Sequence, residues 1–167
     1  SLLDGSRTED EFYSMLEKGY ARRCLFASSR EVKRNLTLSA REIQAQRSNP
    51  ASHTFITALA ERLRVLAGEV NFNKQLLLDK DEEILHIEYS LYCRDRADKL
   101  GDFDIIRKTE LEHRHFKALK LAGSYAFIEG SAQIQEEHLY QAIAIVEDSG
   151  NQLDNLLTRE GPYIKLA

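Results

Sequence analysis

Helical spacing dominates the chain. Residues 8–18, TEDEFYSMLEK, carry an acidic first turn behind the capping candidates Ser6 and Thr8, and Gly19 ends the helix they predict. CLFA at 24–27 is short and wholly apolar, which predicts a buried strand. Residues 30–50, REVKRNLTLSAREIQAQRSNP, are polar and break at Asn49-Pro50, so they predict a partly helical surface segment. Beyond the capping candidate Ser52, the residues Phe55, Leu59, Leu63 and Leu66 recur at helical spacing up to Gly68. QLLL at 75–78 predicts a short extended piece. Asp79 or Asp81 then caps DEEILHIEYSLYCRDRADKL, which Gly101 ends. A long helix is expected from about Asp104 to Ile128, stopped at EGS. EEHLYQAIAIVEDSG, residues 136–150, is amphipathic, with Leu139, Ala142, Ile143 and Val146 on one face. NQLDNLLTREG predicts a last short helix beyond Gly150. The expected fold is mostly α, with one or two short strands near the N-terminus.

Composition adds limits rather than function. The 167 residues, 43% hydrophobic and 30% charged, suit one domain with a real core. No apolar run approaches the roughly 20 residues of a membrane helix, so no membrane partner is expected. Cys24 and Cys93 are the only two cysteines and lack metal-type spacing, which fits a reducing compartment and a cytoplasmic placement. A net charge of −4 gives no general attraction to nucleic acid, so any DNA contact needs a local basic patch. SLLDGS begins on an apolar pair and a turn, and GPYIKLA starts a new segment after a Gly-Pro break. Both suggest a piece of a longer polypeptide.

The common reaction motifs are missing. There is no G-x-x-x-x-G-K-[ST] phosphate loop, no G-x-G-x-x-G turn, no G-x-S-x-G elbow and no H-E-x-x-H pair. Glu83-x-x-His86, Glu110-x-x-His113 and Glu112-x-x-His115 do place a carboxylate and an imidazole on shared helix faces, as di-iron bundles require. Such a site also needs further glutamates, for which Glu61, Glu69 and Glu147 are candidates. Structural or solvated histidines produce the same spacing, and no metal is assigned. Arg22 and Arg23 stand between Gly19 and an apolar run. They either pair with Asp10, Glu11 or Glu17 on the preceding helix, or reach for an anion.

A two-helix block carries a family resemblance. In HRHFKALKLAGSYAFIEGSAQIQEEHLYQAIAIVEDSG, a helix of apolar and small residues leads through an acidic turn into a second amphipathic helix. Lys120-Leu121-Ala122 and Ala126, then Ile134, Glu137, His138 and Ala142-Ile143, resemble the C-terminal helical lid of AAA+ ATPases. The likeness is greatest to minichromosome maintenance helicases and phage or plasmid replicative helicase-primase proteins. ARRCLFA resembles the strand of those helicases that carries an arginine finger, with Arg22 at the finger position and Arg23 beside it. Arg23-Cys24 replaces the usual aromatic-acidic pair, and His113 and His115 stand where the lid helix carries an arginine. Arg114 is the nearest candidate for a nucleotide-contacting lid arginine, with Arg107 as the fallback.

The resemblance implies the end of an ATPase core and a mobile connector over 1–49, and a helical lid-type bundle over 50–167. It implies a C-terminal portion of an ATP-dependent DNA helicase acting in phage- or plasmid-type replication. The whole protein would bind ATP and Mg²⁺, assemble as a homo-oligomeric ring and contact DNA. This chain alone would bind no cofactor and catalyse nothing. The alternatives are a stand-alone helical module that binds protein partners through residues 30–47, and the carboxylate-histidine metal bundle.

Overall fold

The computed structural model describes residues 7–27 and 38–159. By backbone packing they fall into two units, one of residues 7–27 with 76–159 and the other of residues 38–75. The compact division therefore sets apart a middle segment, where the sequence reading placed a single boundary at 49/50. Six α-helices, a short π-helical turn at Leu16–Tyr20, a 3₁₀ turn at Glu69–Asn71 and one two-stranded ladder make up the regular structure of the described residues, so the protein is mostly α.

The larger unit is built on three helices, α4 (Lys80–Asp98), α5 (Ile105–Glu129) and α6 (Glu136–Arg159). α5 presents Ala118, Ala122 and Ala126, one per turn, as a seam of small side chains. Tyr89 and Cys93 of α4 close on that seam from one side, and Leu139, Ala142 and Val146 of α6 from the other. α5 ends where Gly130 turns left-handed, at φ 81°. The chain then runs through β2 (Gln133–Ile134), which pairs in parallel with β1 (Leu77–Leu78) in the register Leu77↔Gln133 and Leu78↔Ile134. The two strands tie the lead-in of α4 to the lead-in of α6. At the start of α6, His138 accepts the backbone N–H of Gln135 at Nδ1 (3.0 Å) and donates from Nε2 to Glu129 (3.0 Å).

A second apolar cluster seats the N-terminal segment. α1 (Arg7–Met15) and the turn after it bring Leu16 and Ala21 against Leu153 of α6, with Phe12, Met15, Phe26, Ile106 and Leu157 packed around them. Residues 24–27 have no regular structure and pair with no strand among the described residues, a correction to the expected buried strand near the N-terminus. The reason is visible in the bonding. The Phe26 N–H donates to the Ser149 hydroxyl of α6 (2.6 Å) rather than to a ladder, and Leu25 stays 50% exposed. The short strands lie at 77–78 and 133–134, the former within the expected QLLL piece.

The smaller unit holds α2 (Ala40–Arg47) and α3 (Pro50–Leu66). Ser39 and Glu42 form a reciprocal capping box at the start of α2. Asn49, not the expected Ser52, caps α3 by accepting the Ala51 N–H (3.0 Å), with Pro50 in the first turn. The Asn71 amide closes the other end by donating to the carbonyls of Val65 and Leu66. The predicted apolar stripe is present on α3 but faces outward, with Phe55 69% exposed beside exposed Ile56, Leu59 and Leu63.

Gly150 does not end a helix as expected, because α6 runs through it without a break. The Arg114 guanidinium lies against this glycine, and a Cβ built there falls inside its van der Waals envelope. Helix propensity alone would favour Gly150→Ala by about 1 kcal/mol, whereas overpacking costs about 1–3 kcal/mol. The alanine variant should therefore unfold at lower urea than the wild type. A variant as stable as the parent would show that the guanidinium does not need this space.

Candidate functional site

The two adjacent arginines sit on a turn closed by backbone bonds. Gly19 adopts φ 94°, which kinks the helical run that follows α1, and the N–H groups of Arg23 and Cys24 both donate to the Tyr20 carbonyl at 2.9 Å. The Arg22 side chain folds over the same glycine, since a Cβ at position 19 would lie 2.9 Å from Arg22 Nε. Among the described residues neither Arg22 nor Arg23 makes an ion pair, with Asp10, Glu11 or Glu17 or with any other carboxylate.

Lys117 of α5 reaches this turn from below. Its ammonium donates to the carbonyls of Ala21 (3.4 Å) and Cys24 (3.2 Å), which flank the two arginines, and to Glu110 Oε1 (2.5 Å). Along α5, His113, Phe116, Lys117 and Lys120 follow at three- and four-residue spacing and so share one face. Together with Arg22 and Arg23 they line a cleft of about 350 Å³ whose walls include no carboxylate. Phe116 is half-exposed there, with the His115 ring behind it at 3.9 Å between centroids. The chemistry of such a cleft is anion recognition by planar guanidiniums and an ammonium beside an aromatic face.

The counter-charges lie behind the cleft, inside the bundle. Arg114 is 2% exposed and meets Glu110 through Nε (3.0 Å) and Nη2 (2.5 Å), and Glu147 of α6 through Nη1 (3.0 Å). Glu147 also accepts from the Tyr89 hydroxyl (2.8 Å) and from Arg96 (2.9 Å). Burial works against ionising Glu147, yet the Tyr89 hydrogen bond and the Arg114 and Arg96 charges hold its carboxyl below the usual range. Burial likewise opposes the Arg114 charge but is outweighed by the two glutamates, so the guanidinium is more firmly protonated than a free one. Burial pushes the neighbouring Cys93 thiol up, which keeps it neutral and unreactive.

The structure thus brings Arg22 and Arg23 together with His113 and separates them from the other two sequence candidates. Arg114 is enclosed by carboxylates inside the bundle, and Arg107 is bound to Asp104 (2.9 Å), Asp154 (3.0 Å) and Thr158 (3.1 Å). Lys117, Phe116 and Lys120 were not singled out as site residues from the sequence. A signal was there: Glu110, Arg114 and Lys117 repeat at helical spacing within a stretch otherwise expected to be an apolar face.

The glutamate-histidine pairs find other partners. His86 Nε2 lies 3.3 Å from both the carbonyl and Nδ1 of His115, His113 Nδ1 donates to the Thr109 carbonyl (3.1 Å), and Glu110 and Glu147 face Arg114. Among the described residues no group of three or more metal-ligating side chains is arranged to hold an ion. None of the described helices is long and apolar enough to cross a membrane. Comparison of the chain with family models, with curated proteins and with solved structures returned no match.

His115 supplies a pH test of this region. Burial first, and then the positive charges of His86, Arg94 and His113, hold its ring below the ordinary value of 6.5. The unfolded chain therefore takes up this proton at higher pH than the folded one, so stability is flat above the ordinary value and declines as pH falls below it. The melting temperature should drop as pH falls through 6.5, and His115→Phe, which keeps a ring against Phe116, should flatten that decline. The loss linked to Glu147 comes at lower pH, below its ordinary 4.5, and should persist in the variant. Thermal melts across this range check both windows.

Proposed function

We propose that this chain supplies the arginine-finger turn and helical lid of an ATP-dependent DNA helicase of the phage or plasmid replicative type. The observation that carries the reading is the turn at Arg22 and Arg23, where two guanidiniums with no carboxylate partner among the described residues border a basic cleft. The sequence resemblance of ARRCLFA and of the α5–α6 block to those helicases supports it. Phosphoryl transfer spreads charge over the γ-phosphate oxygens, and a planar, permanently protonated group stabilises that charge where water is excluded. In this reading ATP and Mg²⁺ are held by a phosphate loop elsewhere in the whole protein. Arg22 enters the nucleotide site of a neighbouring copy in a ring. Arg114 acts indirectly, by fixing how the lid helices meet.

The alternative reading, a module that binds protein partners through residues 30–47, falls in part on residues outside those described, and the exposed Phe55, Ile56, Leu59 and Leu63 of α3 lend it a separate surface. It assigns no task to the unpaired arginines.

The test is Arg22→Ala in the full-length ATPase. Hydrolysis should fall by about 10³-fold or more with nucleotide binding nearly intact, and Arg22→Lys should recover little of it. Mixing this variant with one lacking the phosphate-loop lysine should restore part of the activity, because a shared site then pairs intact fingers with intact loops. The present chain by itself should turn over no ATP. An Arg22→Ala protein that melts earlier but hydrolyses ATP normally would remove the finger from this account.

A further inference from the structure

Lys117 lines the cleft, yet all three of its hydrogen bonds run back into the protein. We propose that Lys117 is the positioning residue of the arginine turn: by holding the carbonyls on either side of Arg22 and Arg23, its ammonium sets both guanidiniums to receive an oligophosphate anion. The inference rests on the reading of these arginines as phosphate-directed and adds the residue that aims them.

The geometry leaves Lys117 little choice. An ammonium has three donors, and here they go to Ala21 O, Cys24 O and Glu110 Oε1. The side chain is 8% exposed, so little water is at hand to replace it. Removing it leaves two carbonyls short of a donor and a buried carboxylate with only Arg114 as partner. On the outer side the turn is already closed by the two N–H groups that share the Tyr20 carbonyl, and Lys117 closes the inner side. Between those anchors lie only Arg22 and Arg23. Beyond the bracket, the bond from Phe26 N–H to Ser149 pins the next stretch to α6.

The same contacts tie the turn to the lid helices. Glu110 is shared between Lys117 and Arg114, and Arg114 is shared between Glu110 and Glu147 of α6. The aim of the arginines is therefore referred through one chain of charges to the α5–α6 crossing. Glu110 also offsets the Lys117 charge, so the ammonium can stand beneath two arginines without adding its full repulsion to theirs.

The experiment titrates inorganic pyrophosphate, without divalent cations, into this chain and follows the side-chain Nε–H resonances of Arg22 and Arg23 by NMR. The wild type should show saturable shifts of both, and the Arg22→Ala/Arg23→Ala double variant should lose binding. Lys117→Met keeps both arginines but frees the turn, so its affinity should fall about tenfold. Ile134→Ala, in the other apolar cluster and on β2 rather than at the Arg114–Glu147 contact, should lower the melting temperature while leaving affinity within about twofold, since it touches neither the turn nor the chain of charges behind it. If Lys117→Met does not fold, Lys117→Arg decides. It keeps a cation opposite Glu110, but a planar fork does not reproduce three bonds from one nitrogen, so affinity should still drop about threefold or more. Full pyrophosphate affinity in a folded Lys117 variant, with binding lost in the double-arginine variant, overturns the positioning role and leaves the phosphate reading standing. No saturable shifts in the wild type overturn both.

Discussion

Two carboxylates from different helices close on one guanidinium inside the bundle, and the rest of the larger unit is arranged around that enclosure. A buried charge left unpaired costs several kcal/mol, about 3–5 when a partner is removed. Glu110, Arg114 and Glu147 must therefore stay together, and α5 can neither rotate nor slide along α6 without parting them. The enclosure explains why a glycine stands in the middle of α6, since no side chain fits between the helix axis and the guanidinium. It also explains why Tyr89 and Arg96 of α4 both turn to Glu147: they fill the acceptor sites that Arg114 leaves open.

The same arrangement sorts charge across α5. On the inner face the cations are matched by glutamates, while on the face toward the arginine turn Lys120, Arg22 and Arg23 meet none among the described residues. A protein of net charge −4 thus carries a basic cleft on its described surface. At physiological salt such a patch acts over a Debye length of about 8 Å. It can hold a phosphate that arrives but attracts little from a distance, which suits a contact made when another molecule is already seated.

Legibility in the sequence followed periodicity. α6 was readable in its first half because its apolar positions recur at helical spacing, and α4 and α5 because capping candidates (Asp79 or Asp81, Asp104) and stops (Gly101, the EGS at 129–131) bound long proline-free stretches. The break expected at Gly150 was not real, because a glycine is read as a helix end when only local preference is considered. Its actual reason lies across the bundle in Arg114. CLFA looked like a strand because four apolar residues in a row say nothing of the partner, and here the partner is a serine hydroxyl on α6. Arg22 and Arg23 could be singled out because two arginines beside an apolar run demand an explanation. Lys117 hid among the charges of a long helix, and only the fold shows that its ammonium reaches residues far away in sequence. The α3 stripe was legible as amphipathic, but periodicity does not tell which side of an amphipathic helix faces water.

The ladder between Leu77–Leu78 and Gln133–Ile134 bears on how the chain finds its fold. Two pairs of residues gain few backbone bonds, and the segment between them spans the whole of α4 and α5. Closing so long a loop for so little return is unfavourable until the intervening helices have already packed. α5 packs on both of its neighbours in sequence, α4 and α6, and those packings involve shorter loops than the ladder does, so the parallel pairing gains its return only once they hold. The arginine turn rests on the far half of α6, so it has no surface to settle on until that helix is seated on α5.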